Sequence, residues 1–465
     1  MQKKKKEAFK PKDNISKSKT VSSKESEKKE LKVLESLRGM KDILPREGKE
    51  WSQVYRKAMD IAEAYGFQYM ETPVVEPSSL FIRSIGRGTD VVDKEMYVFE
   101  DKDGMRVCLR PEFTASFARS YIQHGMLNLP QPVKVWTWGQ LFRHDRPQAG
   151  RYRQFHQFDC ETFGEFDPVI DAELISVAYN FLRDLGIETT VHINSIGSLE
   201  DRQNYTMELV VYLKTKRSYL CEDCKKRLVK NPLRVLDCKQ EGCKIVVQDA
   251  PQIIDWLSPK SKNFFMSVIE YLDEMKVEYT LDSTLVRGLD YYSDTVFEIF
   301  ANTGEEGSQS ALGGGGRYDS LIEQLGGRPT PACGFALGME RVIHALAKAK
   351  QLESTQIVGQ GSLVTRIPKM FFAQLGEQAR RRSLLLIEDL RRKGVTVDFN
   401  LAKSSLKAQL EIADKIGATH TVIIGQKEVQ DDTAIIRDMD SGIQETIDQK
   451  KLYQEIIKKL KKNEK

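Results

Sequence analysis

Residues 285–298, "LVRGLDYYSDTVFE", begin and end like a β-strand. Leu285, Val286, Val296 and Phe297 suit a pleated, half-buried surface. Between them stand Arg287, Asp290 and the adjacent Tyr291 and Tyr292, polar groups that are costly to bury without partners. The stretch predicts a sheet with one face given over to chemistry.

The flanking sequence extends that sheet. Upstream, "MRVCLRPE" reads as a strand, "TASFARSYIQH" as a helix, and "VKVWTWGQLFRHD" and "RQFHQFDCETFG" as two more strands, with charges and amides on alternate positions and at strand ends. Downstream follow "SALGGGGRYDSLIEQLG" and "CGFALGMERVIHALAKA". Trp51, Val54, Tyr55, Ala58, Ile61, Ala62 and Tyr65 recur at helical spacing ahead of Gly66, and "FQYMETPVVEP" after them reads as an edge strand, because Pro73 has no N–H for a ladder. Residues 200–280 change character to long helical patterns holding four of the seven cysteines, an expected helical insertion. Residues 351–366 have linker composition, and beyond them strand and helix alternate, which predicts a small α/β domain with a largely parallel sheet. The expected organisation is α+β: a Lys-rich tail over 1–34, a core over 35–357 interrupted at about 200–280, and a second domain over 366–462.

Length and composition bound the function. A chain of 465 residues exceeds one compact core. No run of 18 apolar residues exists to span a membrane. Residues 1–30 hold eleven Lys against five acidic residues, a surplus of six charges with almost nothing apolar, so this tail is expected to stay disordered, as a solubiliser or a non-specific polyanion tether. It lacks the apolar core of a secretory signal, and its first arginine is Arg38, unlike a transit peptide. Seven cysteines, an odd number, fit a reducing cytoplasm better than a disulfide framework. Cys221-x2-Cys224 followed by Cys238-x4-Cys243 offers four thiolates in two close pairs, which suits a structural zinc; the alternative is free thiols in a helical insertion.

Three arginines stand at element ends beside polar neighbours: Arg143 in "LFRHD", Arg287 in "LVRGLDYY" and Arg341 in "LGMER". A guanidinium matches phosphate oxygens with paired donors. Each also has a nearby structural partner, Asp145, Asp290 and Glu340 respectively, but three together around a glycine-rich strand favour phosphate. "GGGGRYD" (313–319) lacks the Lys-Ser/Thr ending of a phosphate loop, and glycines inside a strand point to close approach of a ligand or another backbone.

Taken together these segments resemble class II aminoacyl-tRNA synthetases. "LFRHD" with "RPQAGRYRQFHQFDCE" resembles motif 2, "GFALGMER" motif 3, and the helix before "METPVVEP" motif 1; "LVRGLDYY" and "GGGGRYD" resemble the two signatures of histidyl-tRNA synthetases, and "RGMKDILP" and "NPLRVLDCK" agree. The likeness covers residues 36 to about 460. Asp145 departs from the motif 2 pattern, which has Glu there. The resemblance implies an antiparallel catalytic sheet, a homodimer and an anticodon-binding domain whose contacts include the basic run Arg380–Arg382 and Arg391–Lys393, unless that run is only a solvated helix face. It implies a histidine pocket of Glu112, Phe113, Thr114, Arg143, Gln157, Glu161, Arg287, Tyr291 and Tyr292, and an ATP site of Arg143, Asp145, Arg151 and Arg341, with Mg2+ on the outer phosphates. Arg287 and Arg143 are the implied catalytic pair, Arg287 standing where other class II enzymes place a metal. Arg146 and Gln148 are implied contacts to tRNA(His). His144 and His156 are candidates to line the site. Regulatory synthetase-like subunits would keep the sheet but lose the arginines and the second domain, both of which persist here.

Overall fold

A computed structural model describes residues 34–86, 89–147, 150–302, 310–356 and 370–461. The expected tail up to residue 33, the linker from 357 onward and Gln148 lie outside the described residues. The chain divides into two compact units between Glu353 and Ser354.

In the first unit, helix α1 (Pro45–Ala64) starts with Pro45 in its first turn and Glu47 accepting from the Leu44 amide. Strand β1 (Gln68–Tyr69) leads to a three-stranded sheet of β2 (Val75–Pro77), β3 (Val98–Glu100) and β4 (Arg106–Leu109), ordered β2-β4-β3, with α2 (Ser78–Ile85) and α3 (Thr114–Gln123) beside it. The main strands follow: β5 (Val133–Phe142), β6 (Gln154–Phe163), β7 (Thr189–Ser195), β8 (Tyr279–Leu281), β9 (Ser293–Ala301), β10 (Ala311–Arg317) and β11 (Ala332–Gly338). With β1 they form an eight-stranded sheet ordered β1-β5-β6-β11-β10-β9-β7-β8, antiparallel except at its two ends.

Strand periodicity of two sends alternate residues to opposite faces. On β6, Phe158 and Cys160 join the apolar layer formed by α1, α4 (Pro168–Asp184) and a later helix over Pro259–Glu274, while Gln157, Asp159 and Glu161 face the other way. That second face is roofed by α2, α3 and the helices of the insertion, α5 (Leu199–Thr215), α6 (Glu222–Lys230) and α7 (Glu241–Gln248). Helix α8 (Pro259–Glu274), also inside the 200–280 stretch, packs on α4 in the main core through Phe265, Val268 and Leu272. Short α9 (Leu321–Gln324) and α10 (Met339–Gln356) complete the unit.

The opening stretch is a strand only in its second half. Residues 285–292 run as turns and irregular chain, and β9 begins at Ser293. Leu285 and Val286 are buried, but in the apolar cluster shared with the insertion, where Asn194 donates to the Leu285 carbonyl at 3.0 Å. Burial by a helical roof, not by a pleated ladder, accounts for their apolar character.

In the second unit, β12 (Met370–Gln374), β13 (Asp398–Phe399) and β14 (His420–Ile424) pair in parallel, with α11 (Glu377–Arg392) and α12 (Leu406–Lys415) against them. The sheet is nevertheless mixed. After a short α13 (Gln426–Gln430), β15 (Thr433–Asp438) and β16 (Gln444–Asp448) add antiparallel strands joined by a turn in which Asp438 accepts from the Ser441 amide at 2.8 Å and Gly442 takes φ +70°. The unit closes with α14 (Leu452–Lys461). Among the described residues no helix is long and apolar enough to cross a membrane.

Candidate active site

A cavity of about 450 Å³ opens on the polar face of the large sheet. Its walls bring together Glu112 and Thr114 at the start of α3, Arg143, Asp145 and Arg151 after β5, Gln157 and Glu161 on β6, Arg287, Tyr291 and Tyr292 before β9, and Arg341 on α10. These residues span more than 200 positions of sequence.

None of the three arginines takes the neighbouring carboxylate offered by sequence. Arg143 donates to the Pro111 carbonyl at 2.9 Å and lies over the Phe155 ring. Arg341 donates to the carbonyls of Ala311 at 2.6 Å and Gly150 at 3.2 Å, while Glu340 accepts from the His156 amide and ring. Arg287 pairs with Glu298 on β9 at 2.5 Å, its guanidinium 5.5 Å from the Tyr292 ring, and Asp290 instead accepts from Asn231. The buried Nε of Arg287 has no partner among the described residues. Burial, then the nearby charges of Arg151 and Arg143, pull the Arg341 pKa below its usual value. Cations held together against their mutual repulsion mark a place prepared for anionic charge.

The opposite wall is rich in acceptors. Glu112 accepts from the Ala115 amide through Oε1, but its Oε2 is buried without a partner among the described residues, as are Gln157 Oε1 and Asp159 Oδ1. Glu161 accepts from Thr114 Oγ1 at 2.6 Å and from the Tyr318 hydroxyl. Burial pushes the Glu161 pKa up to about 8 and raises that of Glu112; burial, then the charges of Glu161 and Glu112, holds Asp159 well above the carboxylate range. The rings of Tyr291, Tyr292 and Tyr318 gather beside this wall, with centroids 4.7 to 6.4 Å apart.

The glycines have a packing reason. A Cβ on Gly334 would lie 1.5 Å from Glu161 Oε2, and one on Gly314 would meet the Phe297 carbonyl at 2.2 Å and Arg287 Nη1 at 3.0 Å. Arg317, in the same signature, is structural: fully buried, it pairs with Asp171 and with Asp319.

Several predicted residues lie elsewhere. Phe113 does not line the cavity; it is buried under the Arg110 guanidinium, 4.4 Å away, and stacks on Phe117. Arg146 is exposed outside the cavity, and neither His144 nor His156 lines it. All six members of the basic run on and after α11 sit within ion-pair distance of an acidic residue of their own unit, as a solvated helix face does. The sequence reading missed Asp159, although its place between Gln157 and Glu161 on one face of β6 was available from alternation. It also passed over Tyr318, Glu298, Arg234 and Asp237 as site residues; the last two enter the cavity wall from the insertion.

The antiparallel sheet with this cavity and its arginines defines a class II aminoacyl-tRNA synthetase, a ligase. The model of the histidyl-tRNA synthetase family matches residues 39–216 and 226–342, and that of an anticodon-binding domain matches 371–459. The chain belongs to the histidyl-tRNA synthetase family. It is 45% identical over 431 residues to a histidine–tRNA ligase of Dehalococcoides mccartyi, covering 92% of this chain and all of that protein, and 43% identical over 416 residues to one of Desulforamulus reducens, covering 89% and 97%. The crystal structure of the apo histidyl-tRNA synthetase of S. aureus resembles it with a TM-score of 0.73 at 32% identity, over 91% of this chain and 99% of that one.

Proposed function

We propose that the chain activates L-histidine with ATP to histidyl-adenylate and transfers the histidyl group to the 3′ end of tRNA(His). One observation carries this reading: three buried acceptors without donors among the described residues, Glu112 Oε2, Gln157 Oε1 and Asp159 Oδ1, line a cavity that also holds Arg143, Arg287 and Arg341. Orphaned buried acceptors are costly, and an ammonium supplies three N–H donors. An amino acid set there by its ammonium points its carboxylate toward the cations, while Glu161, Tyr291 and Tyr292 are placed to hold an imidazole.

In that pose the carboxylate oxygen attacks the α-phosphorus of ATP, the bond to the β-phosphate oxygen breaks, and pyrophosphate leaves. Negative charge builds on the α-phosphoryl oxygens, and Arg287 and Arg143 stabilise it from fixed positions. Arg341 and Arg151 hold the distal phosphates or the adenine, with Asp145 beside them. Glu298 and Glu95, both in the cavity wall, would offer oxygen ligands to a magnesium ion carried by ATP, and that ion would neutralise charge on the departing pyrophosphate. In the second step a terminal ribose hydroxyl attacks the acyl carbon and AMP departs.

Two further parts of the reading concern partners and place. Arg146, exposed after β5, together with Gln148 is offered to the 5′ end of the tRNA, and the exposed Tyr69, Val74 and Val75 of the motif 1 segment to a second copy in a homodimer. The seven free thiols accord with a cytoplasmic location, and the four in the insertion are where a structural zinc would sit. Pyrophosphate exchange measured with each of the twenty amino acids tests the core of the reading: exchange with histidine alone is expected, and exchange with a different amino acid, or with none, overturns it.

A further inference from the structure

The insertion brings Cys221, Cys224, Cys238 and Cys243 together so that all four sulfurs lie within 4.8 Å of one another. Four zinc–sulfur bonds of about 2.3 Å in a tetrahedron set sulfur–sulfur distances near 3.8 Å; Cys221 and Cys238 stand 3.9 Å apart. The surrounding backbone is shaped for thiolates. Cys221 caps α6, its sulfur accepting from the Cys224 amide at 3.4 Å, and the Cys243 sulfur accepts from the Cys221 amide at 3.2 Å. Three of the four residues are buried, in an apolar cluster that includes Leu220, Leu228, Val235 and Val246.

What the cluster holds in place matters as much. Between its second and third cysteines the chain runs through Asn231–Asp237, the segment that faces the catalytic cassette. Asn231 donates to Asp290 at 2.8 Å, a Cβ on Gly288 would lie 2.8 Å from Arg234 Nη1, and Arg234 and Asp237 both line the cavity. Cys238 follows Asp237 directly. We propose that the four cysteines bind one zinc ion, and that this ion fixes residues 231–238 as a wall of the catalytic cavity, so that metal loading sets the geometry around Arg287.

The first half of the proposal stands without the catalytic reading; the second rests on it. The test uses the full chain, reduced and stripped of metal, titrated with cobalt(II), which reports a tetrahedral tetrathiolate site by intense thiolate-to-metal and visible bands. One equivalent of cobalt with those bands, displaced by zinc, is expected. Cys243→Ser should weaken or abolish the bands, Cys238→His should keep a shifted set, and Cys108→Ser, remote from the cluster, should leave them unchanged. Absence of the bands, or their persistence unaltered in both cluster variants, overturns the zinc site. For the second half, histidine-dependent pyrophosphate exchange should fall roughly tenfold or more on metal removal and return with zinc, since small misplacements far from the reacting atoms cost up to ~10²-fold. Equal exchange by the zinc-loaded and metal-free chains overturns the role as a wall while leaving the metal site standing; no exchange by the zinc-loaded wild-type chain is instead a failure of the catalytic reading.

Discussion

Replacing Arg287 by Ala isolates the charge on which adenylate formation depends. The side chain leaves behind one freed carboxylate, Glu298, which is about 30% exposed and keeps access to water, so the fold should survive. The chemistry should not. A unit charge about 4 Å from the developing phosphoryl charge contributes about 4 kcal/mol at an effective dielectric near 20. Loss of a single fixed donor in such sites costs roughly 10²- to 10³-fold, about 2.7–4 kcal/mol. Arg287→Lys should fall between, because one ammonium has to serve both Glu298 and the phosphate where a guanidinium has several donors. The assay is histidine-dependent exchange of pyrophosphate into ATP, with a thermal melt to establish that the variant is folded. A folded Arg287→Ala protein retaining exchange within about threefold of wild type, less than 1 kcal/mol, refutes the reasoning.

Other expectations follow from the same cavity and its supports. Gly334→Ala should raise the KM for histidine far more than that for ATP, because the added methyl occupies the place of the Glu161 carboxylate; equal changes in both KM values would count against the histidine pocket. Arg317→Met should destabilise the chain by about 3–5 kcal/mol, since it leaves Asp171 buried and uncompensated; a denaturant melt with an unchanged midpoint contradicts the structural role. Glu161, with its pKa raised to about 8 in the folded chain, makes the folded state bind more protons than the unfolded state. Its contribution to stability is therefore present in full below the unfolded value near 4.5 and is lost as pH rises through about 8. The ligand-free protein should melt progressively lower between pH 5 and 8, and Glu161→Gln should flatten that slope; identical slopes would remove the assignment.

One cavity gathers most of the site residues singled out in the sequence by residue type, local spacing and family resemblance. Arg143, Arg287 and Arg341 were singled out because three guanidinium groups stand at element ends beside polar neighbours around a glycine-rich strand, whereas Gln157 and Glu161 came from the resemblance to the synthetase family. Asp159 followed from the alternation along β6 and was overlooked. Phe113 entered the expected pocket through the resemblance, with its loop neighbours Glu112 and Thr114; the Arg110 guanidinium above it and Phe117 beside it put its ring in the core instead. The hairpin of β15 and β16 escaped because the strand–helix alternation before it set an expectation of parallel pairing, while its turn signal, Asp438 to Gly442, is short.

Sequence by itself determined most of the elements, the two faces of the main strands and the kinds of charge the site would hold, since periodicity and side-chain chemistry are properties of neighbouring residues. Only the tertiary structure decided which partners those charges keep. Arg287 takes Glu298 rather than Asp290, Tyr318 reaches Glu161 across 157 residues of chain, and four cysteines from two separate pairs close to within 4.8 Å. Chemically equivalent groups compete for each such contact, and the winner is set by which strands lie side by side, information that no local stretch contains.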